Sequence, residues 1–449
     1  MSQVLDSSPA VSRVPQWSSR VGHILAAAGS AIGIGAIWKF PYVTATNGGG
    51  AFLLLFLLFS FTLGLAVFMA ETLLGSHSRQ SVVQAFRQLC GRHWGWVGLL
   101  GIVTSWCIYS FYSVVGGWTV GYALMAGAGR LQSDHAQGFQ ALFSHYISHP
   151  YWPVVTHLLF AALTAYVVLG GVQRGVEKAV KVMMPLLLLI MVALIVIALT
   201  LPGATAGLRL FLWPDFSHLS GKSVLDALGL AFFSLSVGLG IHTTYGAYLP
   251  SSDGVARSSL WVVALSCLIC VLAGLMIFPA LSAAGLDPSA GPGLTFMTMP
   301  VFFSHLPFAS LWASAFFILL LLAALSSSIS LLEHIVAFAC GRWGWSRRNA
   351  TLWVSASIML AGIPVTLSFG PLADYTWAGR SLFDWLDFLT SNLMMPLFAI
   401  VICLLFGWSS RLEGLLPSTL SPLWRRALRF TWRYAAPLCI GVILLHGVW

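Results

Sequence analysis

Long apolar runs recur along this chain from Val21 onward, separated by short polar stretches. A helix crosses the hydrocarbon core of a bilayer with about 20 apolar residues. The runs predict eleven such helices, at 21–45, 51–75, 97–126, 153–172, 177–201, 222–248, 259–285, 309–340, 349–370, 382–407 and 430–449. They are called spans 1 to 11 below. The pattern reads as an all-α membrane protein whose partner on every side is the lipid bilayer.

Composition agrees. Of 449 residues, 58% are hydrophobic and 8% charged, too few charges to cover a water-soluble surface of this size. A net charge of +9 on a soluble protein would point to nucleic acid. Here the basic residues sort by loop instead. With the N-terminus inside, the cytoplasmic segments hold 17 of the 22 Lys and Arg, as the positive-inside rule requires. Arg130, Arg209, Lys222 and Arg380 fall on the other side, and Lys39 within span 1. No nucleic-acid partner is expected. Residues Met1–Gln16 are polar, lack the apolar core of a cleaved signal peptide, and read as a short cytoplasmic tail. The seven cysteines lack metal-site spacing. No nucleophile–base pairing stands out, so an enzyme is not expected.

The first ten spans divide into two sets of five, 21–201 and 222–407, with 1–20 as tail and 430–449 as an extra helix of one transport domain spanning 1–449. Five is odd, so the second set inserts upside down relative to the first. Span 1 carries Gly33-Ile34-Gly35 and span 6 carries Gly238-Leu239-Gly240 at matching places. Glycine lets small-residue helices pack closely. A matched pair of interrupted helices in two halves points further, to a solute site near the midplane. A broken helix frees backbone N–H groups that attract a carboxylate and carbonyls that attract a cation.

The residues around these breaks carry a resemblance. The stretch G-S-A-I-G-I-G-A-I-W-K-F-P from Gly29 to Pro41, followed by N-G-G-G-A-F from Asn47 to Phe52, resembles the first-helix signature of the neurotransmitter:sodium symporters. So do F-F-S-L-S-V-G-L-G from Phe232 to Gly240, S-S-S-I-S from Ser326 to Ser330 and F-D-W-L-D-F from Phe383 to Phe388. The resemblance runs from Trp17 to about Trp408 and implies a LeuT-type inverted five-helix repeat with spans 1 and 6 broken. It implies sodium-coupled uptake of an amino acid or amine by alternating access, in a bacterial inner membrane.

Carried over by motif, Ser30, Ala31, Gly33, Gly35, Ser234, Ser236 and Leu239 would cradle the substrate, with Ile108, Phe233, Ser327 and Leu331 lining its side chain. Tyr112, in F-Y-S-V-V-G-G-W from Phe111 to Trp118, would hold its carboxylate. Amine-transporting relatives place an aspartate where Gly33 stands, so a neutral, hydrophobic amino acid is expected. A second sodium site would take carbonyls of Gly29, Ile32 and Ala323 and hydroxyls of Ser326 and Ser327. The first sodium site is expected to be weak or absent. Ala31, Ser234 and Ser266 remain, but Ala36 replaces a family asparagine and offers no side-chain oxygen. Phe56, Leu230 and Cys270 replace chloride ligands, which implies chloride independence. Lys39 and Asp387 match an outer gate, and Trp17 and Tyr248 an inner one. The inner arginine falls near Arg13 and Val14, and its partner position reads Gly341, so no inner ion pair is assigned. Glu71, Glu333, Asp384 and Asp387 stand out as intramembrane acids. Glu71 matches a glutamate that supports the breaks. His242 reads as a structural histidine. A proton-coupled or uncoupled carrier of the same fold, and a non-transporting amino-acid receptor, are the alternatives.

Overall fold

The computed structural model describes residues 15–131, 136–252, 254–286 and 295–448. Arg13, Val14 and most of the polar tail lie outside them. Among the described residues the chain is helical, with only two isolated β-bridges, Gly49 to Pro214 and Trp377 to Arg380.

Among the described residues, nine helices are by themselves long and apolar enough to cross a membrane. They are Gly50–Ser78, Arg92–Gly127, Trp152–Leu169, Val172–Thr200, Val255–Ala283, Ala309–Trp343, Arg347–Leu367, Leu382–Trp408 and Pro422–Gly447. They match spans 2 to 5 and 7 to 11. Span 1 is a pair, Arg20–Ala31 and Ile34–Thr46, bent by 64° at the break. Span 6 is Gly221–Ser234 and Ile241–Ala247, with the intervening residues off the helix. Span 11 begins earlier than its apolar run, at Pro422, because its first turns are amphipathic and carry Arg425, Arg426 and Arg429.

Local chemistry sets several helix starts. Ser19 accepts from Gly22 N–H at the start of span 1. Ser220 and Ser223 form a capping box at span 6, and Ser381 with Asp384 one at span 10. These side chains satisfy N–H groups that have no intrahelical partner.

Burial places the spans in the bundle. In its most apolar window span 8 is 72% buried, and span 11 only 22%. Span 8 is therefore central and span 11 peripheral. Leu189, Val182, Leu360, Trp353 and Leu438 face outward, and that apolar exterior suits lipid. Spans 2 and 6 touch backbone to backbone. A Cβ on Gly75 would lie 1.8 Å from the Thr243 carbonyl oxygen, and one on Gly246 2.5 Å from that of Thr72. Close contact of this kind holds membrane helices together where no hydrophobic force acts between them. Four helices also widen by one π turn, at Ser60–Gly64, Val172–Glu177, Leu389–Met394 and Thr431–Ala435. The first and third adjoin the second break, with Gly64 against Leu235 and Met395 against Gly238, and π turns are often found at such sites.

Candidate substrate and ion site

The first break is short. Ile32 leaves the helix and Gly33 is extended, with φ −99° and ψ −172°. The N–H of Ile34, which starts the outer half of span 1, donates to Tyr112 Oη at 3.2 Å. The Tyr112 hydroxyl thus stands at a helix N-terminus, where a carboxylate is favoured. A Cβ on Gly33 would lie 2.8 Å from Ser327 Oγ and 3.0 Å from Tyr112 Oη. No acidic side chain fits there without displacing both hydroxyls.

The second break is longer and more distorted. Ser236, Gly238 and Gly240 have φ of 50°, 86° and 79°, values that favour glycine and strain a serine. The Ser236 hydroxyl donates to the Ser30 carbonyl at 2.9 Å, tying the two breaks together. Glu71, fully buried in span 2, accepts from Gly238 N–H at 2.7 Å and from Gly240 N–H at 3.1 Å. One carboxylate therefore satisfies two N–H groups freed at the break.

A cavity lies between the breaks. Every substrate residue expected from the sequence lines it: Ser30, Ala31, Gly33, Gly35, Ile108, Tyr112, Phe233, Ser234, Ser236, Leu239, Ser327 and Leu331. Ala36, Ile241 and Met395 line it too. Met395 had no motif signal, because it enters from the turn after the π turn of span 10. The Phe233 ring covers the cavity against Gly35, where a Cβ would lie 2.4 Å from Phe233 Cε1.

Beside the cavity six oxygens lie in two hydrogen-bonded groups. Ser326 Oγ is 3.2 Å from the Ile32 carbonyl and 2.9 Å from that of Ala323. Ser327 Oγ is 3.3 Å from the Gly29 carbonyl and 2.9 Å from that of Ser30. Around a hard cation with oxygens at about 2.4 Å, neighbouring ligands stand roughly 3–3.5 Å apart. The spacing within each group is that of neighbouring ligands around a small hard cation. Gly29 permits this approach, since a Cβ there would be 3.3 Å from Ser326 Cβ. The other set is poorer. The hydroxyls of Ser234, Ser266 and Ser30 are buried without hydrogen-bond partners among the described residues, although the Cys270 thiol lies beside Ser234. Ala36 contributes no oxygen.

The chain was compared with known proteins. A family model described as the sodium:neurotransmitter symporter family matches residues 14–138 and 143–449. The chain belongs to that family. The symporter is 39% identical to YhdH of Bacillus subtilis, a sodium-dependent transporter, over 96% of this chain and 97% of that protein. It is 27% identical to the sodium- and chloride-dependent GABA transporter 2 of Bos taurus, over 86% and 71%. Among solved structures it is similar to MhsT in complex with L-phenylalanine, with TM-score 0.88, 39% identity, and coverage of 96% and 99%. The symporter is thus a sodium-dependent membrane transporter of LeuT-type fold, and its family is not one of enzymes.

The two ends of its pathway differ from the sequence expectation. Lys39 and Asp387 form no ion pair. The flexible lysine places its ammonium 4.8 Å from the centre of the Phe233 ring, a cation–π contact, while Asp387 accepts from Ser391 Oγ at 2.8 Å. At the opposite end Trp17 and Tyr248 do meet. Trp17 N–H donates to the Tyr248 carbonyl and its indole N–H to that of Tyr245, both at 3.0 Å. An ion pair is present there as well, between residues the motif did not name. Tyr248 donates to Glu333 at 2.8 Å, and Glu333 is paired with Arg347. Glu177, in span 5, accepts from Ser18 N–H at 2.8 Å and pairs with Lys181 at 2.7 Å. Glu177 and Asp226 both lie within spans, and the sequence reading passed over both. Their signal was a lysine four residues away, Lys181 and Lys222 respectively. Asp384 is accounted for by its capping box.

Proposed function

We propose that this symporter takes up a neutral, hydrophobic amino acid together with one sodium ion, by alternating access and without chloride. The reading places it in a cell inner membrane with a cytoplasmic N-terminus. One observation carries it. Gly33 is crowded by Tyr112 and Ser327, so the site has no acidic side chain for an amine and offers a hydroxyl and a helix N-terminus to a carboxylate.

The substrate carboxylate would accept from Tyr112 Oη and from N–H groups at the first break. Its amine would face carbonyls of the breaks and the Ser234 and Ser236 hydroxyls. Its side chain would enter the apolar part of the cavity, against Ile108, Phe233, Leu239, Leu331 and Met395. That MhsT binds L-phenylalanine at 39% identity supports an apolar side chain. Sodium at Gly29, Ile32, Ala323, Ser326 and Ser327 bridges spans 1 and 8, so its arrival favours the arrangement in which these spans touch. The weak first set, Ala31, Ser234 and Ser266, supports a stoichiometry of one. Phe56, Leu230 and Cys270 are all buried and none offers a hydrogen-bond donor suited to a chloride ion beyond a weak thiol. The two sets of five spans are read as inverted repeats of one transport domain.

Uptake into proteoliposomes tests this. Labelled phenylalanine and leucine should accumulate under an inward sodium gradient, equally in chloride and gluconate. Equal accumulation under potassium would favour an uncoupled carrier. Saturable binding with no uptake would favour a receptor.

A further inference from the structure

Three histidines gather beneath the second break, and the transport reading uses none of them. His23, on the inner half of span 1, is 1% exposed, and neither ring nitrogen has a partner. Its ring lies 6.0 Å from that of Trp17. His242, on the inner half of span 6, is 1% exposed. Its Nε2 bonds the Leu235 carbonyl at 2.8 Å, its ring rests on Phe68, and its Nδ1 is unpartnered. His334, on span 8, is fully buried. Its Nδ1 bonds Thr244 Oγ1 at 2.7 Å and its Nε2 is unpartnered. His242 lies within electrostatic reach of both others. Buried polar atoms almost always have partners; both ring nitrogens of His23 have none, and those left over on His242 and His334 have only the Ser236 and Leu239 backbone within reach.

We propose that His23, His242 and His334 form a proton-binding site of the inner pathway, loaded when the half of span 1 bearing Trp17 parts from span 6. The inference rests on the alternating-access reading above. With the pathway closed, water is excluded from the rings. Parting the two half-helices hydrates the rings, which then titrate near the ordinary histidine value of about 6.5. Protons bind the open form and stabilise it.

Most of the neighbouring titratable groups already have partners. Glu71 is committed to the N–H groups of Gly238 and Gly240. Tyr245 donates to Ser330, Tyr248 to Glu333, and Glu333 is paired with Arg347. Cys403, on span 10, is a buried thiol.

Each histidine that titrates only in the open form should raise the open-to-closed ratio about tenfold between pH 8 and pH 5.5. Pulsed electron resonance between spin labels at exposed Val21 and Leu352 would read that ratio. The background would lack the half-buried Cys90, Cys107, Cys340 and Cys439. In sodium-free buffer the longer-distance population should grow at least tenfold on acidification. In the variant His23→Leu, His242→Gln, His334→Asn, whose amides replace the donors lost, it should change less than twofold. The three single variants provide the same test by partial losses if the triple variant does not fold. A response that survives in these variants overturns the proposal and assigns the proton elsewhere. If sodium with amino acid moves the distance but pH does not, the histidine site fails while alternating access stands. If neither moves it, alternating access between these elements fails.

Discussion

The two breaks solve the same problem with different partners. At the second, freed N–H groups are satisfied by the Glu71 carboxyl group, built into span 2. At the first, the Ile34 N–H has a tyrosine hydroxyl, and the carbonyls of Gly29, Ser30 and Ile32 have serine hydroxyls. Those are neutral partners that a carboxylate and a cation can outcompete. A break closed by a side chain held on both carboxyl oxygens reads as a permanent part of the scaffold. A break closed by hydroxyls reads as a place where ligands change the energy. From this difference we infer structural support at the second break and coupling at the first.

The largest expected effect comes from removing the Glu71 carboxyl group. Glu71→Ala leaves two buried N–H groups unpaired, at about 1–3 kcal/mol each. Uptake should vanish and the unfolding temperature should fall, whereas Glu71→Gln should recover part of both. An unchanged unfolding temperature in the alanine variant would remove the contrast. Next, Gly33→Asp puts a carboxylate against Tyr112 and Ser327, where the substrate carboxylate is proposed to bind. Amino-acid affinity in a scintillation-proximity binding assay should drop about 100-fold, roughly 2.7 kcal/mol. Tyr112→Phe removes one hydrogen bond to a charged group, so the KM for uptake should rise about tenfold with little change in stability. Ser326→Ala lies outside the cavity lining, and should raise the sodium concentration for half-maximal uptake several-fold, by about 1 kcal/mol, while leaving amino-acid affinity at saturating sodium intact. The smallest effect sharpens the account. Ala36→Asn supplies an amide oxygen beside Ser234 and Ser266 and should steepen the sodium dependence of uptake, read as a higher Hill coefficient.

What the sequence made legible follows from where the chemistry was local. The spans were readable because a bilayer demands long apolar runs, and the breaks because Gly33, Gly35, Gly238 and Gly240 interrupt them. The cavity lining followed from motifs around those glycines, and all twelve residues named from the sequence line it. Met395 was missed because its inward turn depends on a π turn that leaves no mark in the sequence. The closures were less legible. Lys39 chose the Phe233 face over Asp387, a decision made by side-chain packing. Glu333 lies inside one span and Arg347 begins the next, so their pairing appears only when those helices are set side by side. His23, His242 and His334 come from three helices, and no one of them is unusual alone.

The central claim is that ligand coupling concentrates at the first break, with one cation between spans 1 and 8. The ratio of labelled sodium to labelled amino acid entering proteoliposomes, at matched initial rates, tests it most directly. The account predicts a ratio of about one in the unmodified chain and loss of saturable sodium entry at low sodium in Ser326→Ala. A ratio of two in the unmodified chain would contradict it, since Ala31, Ser234 and Ser266 would then hold a second ion.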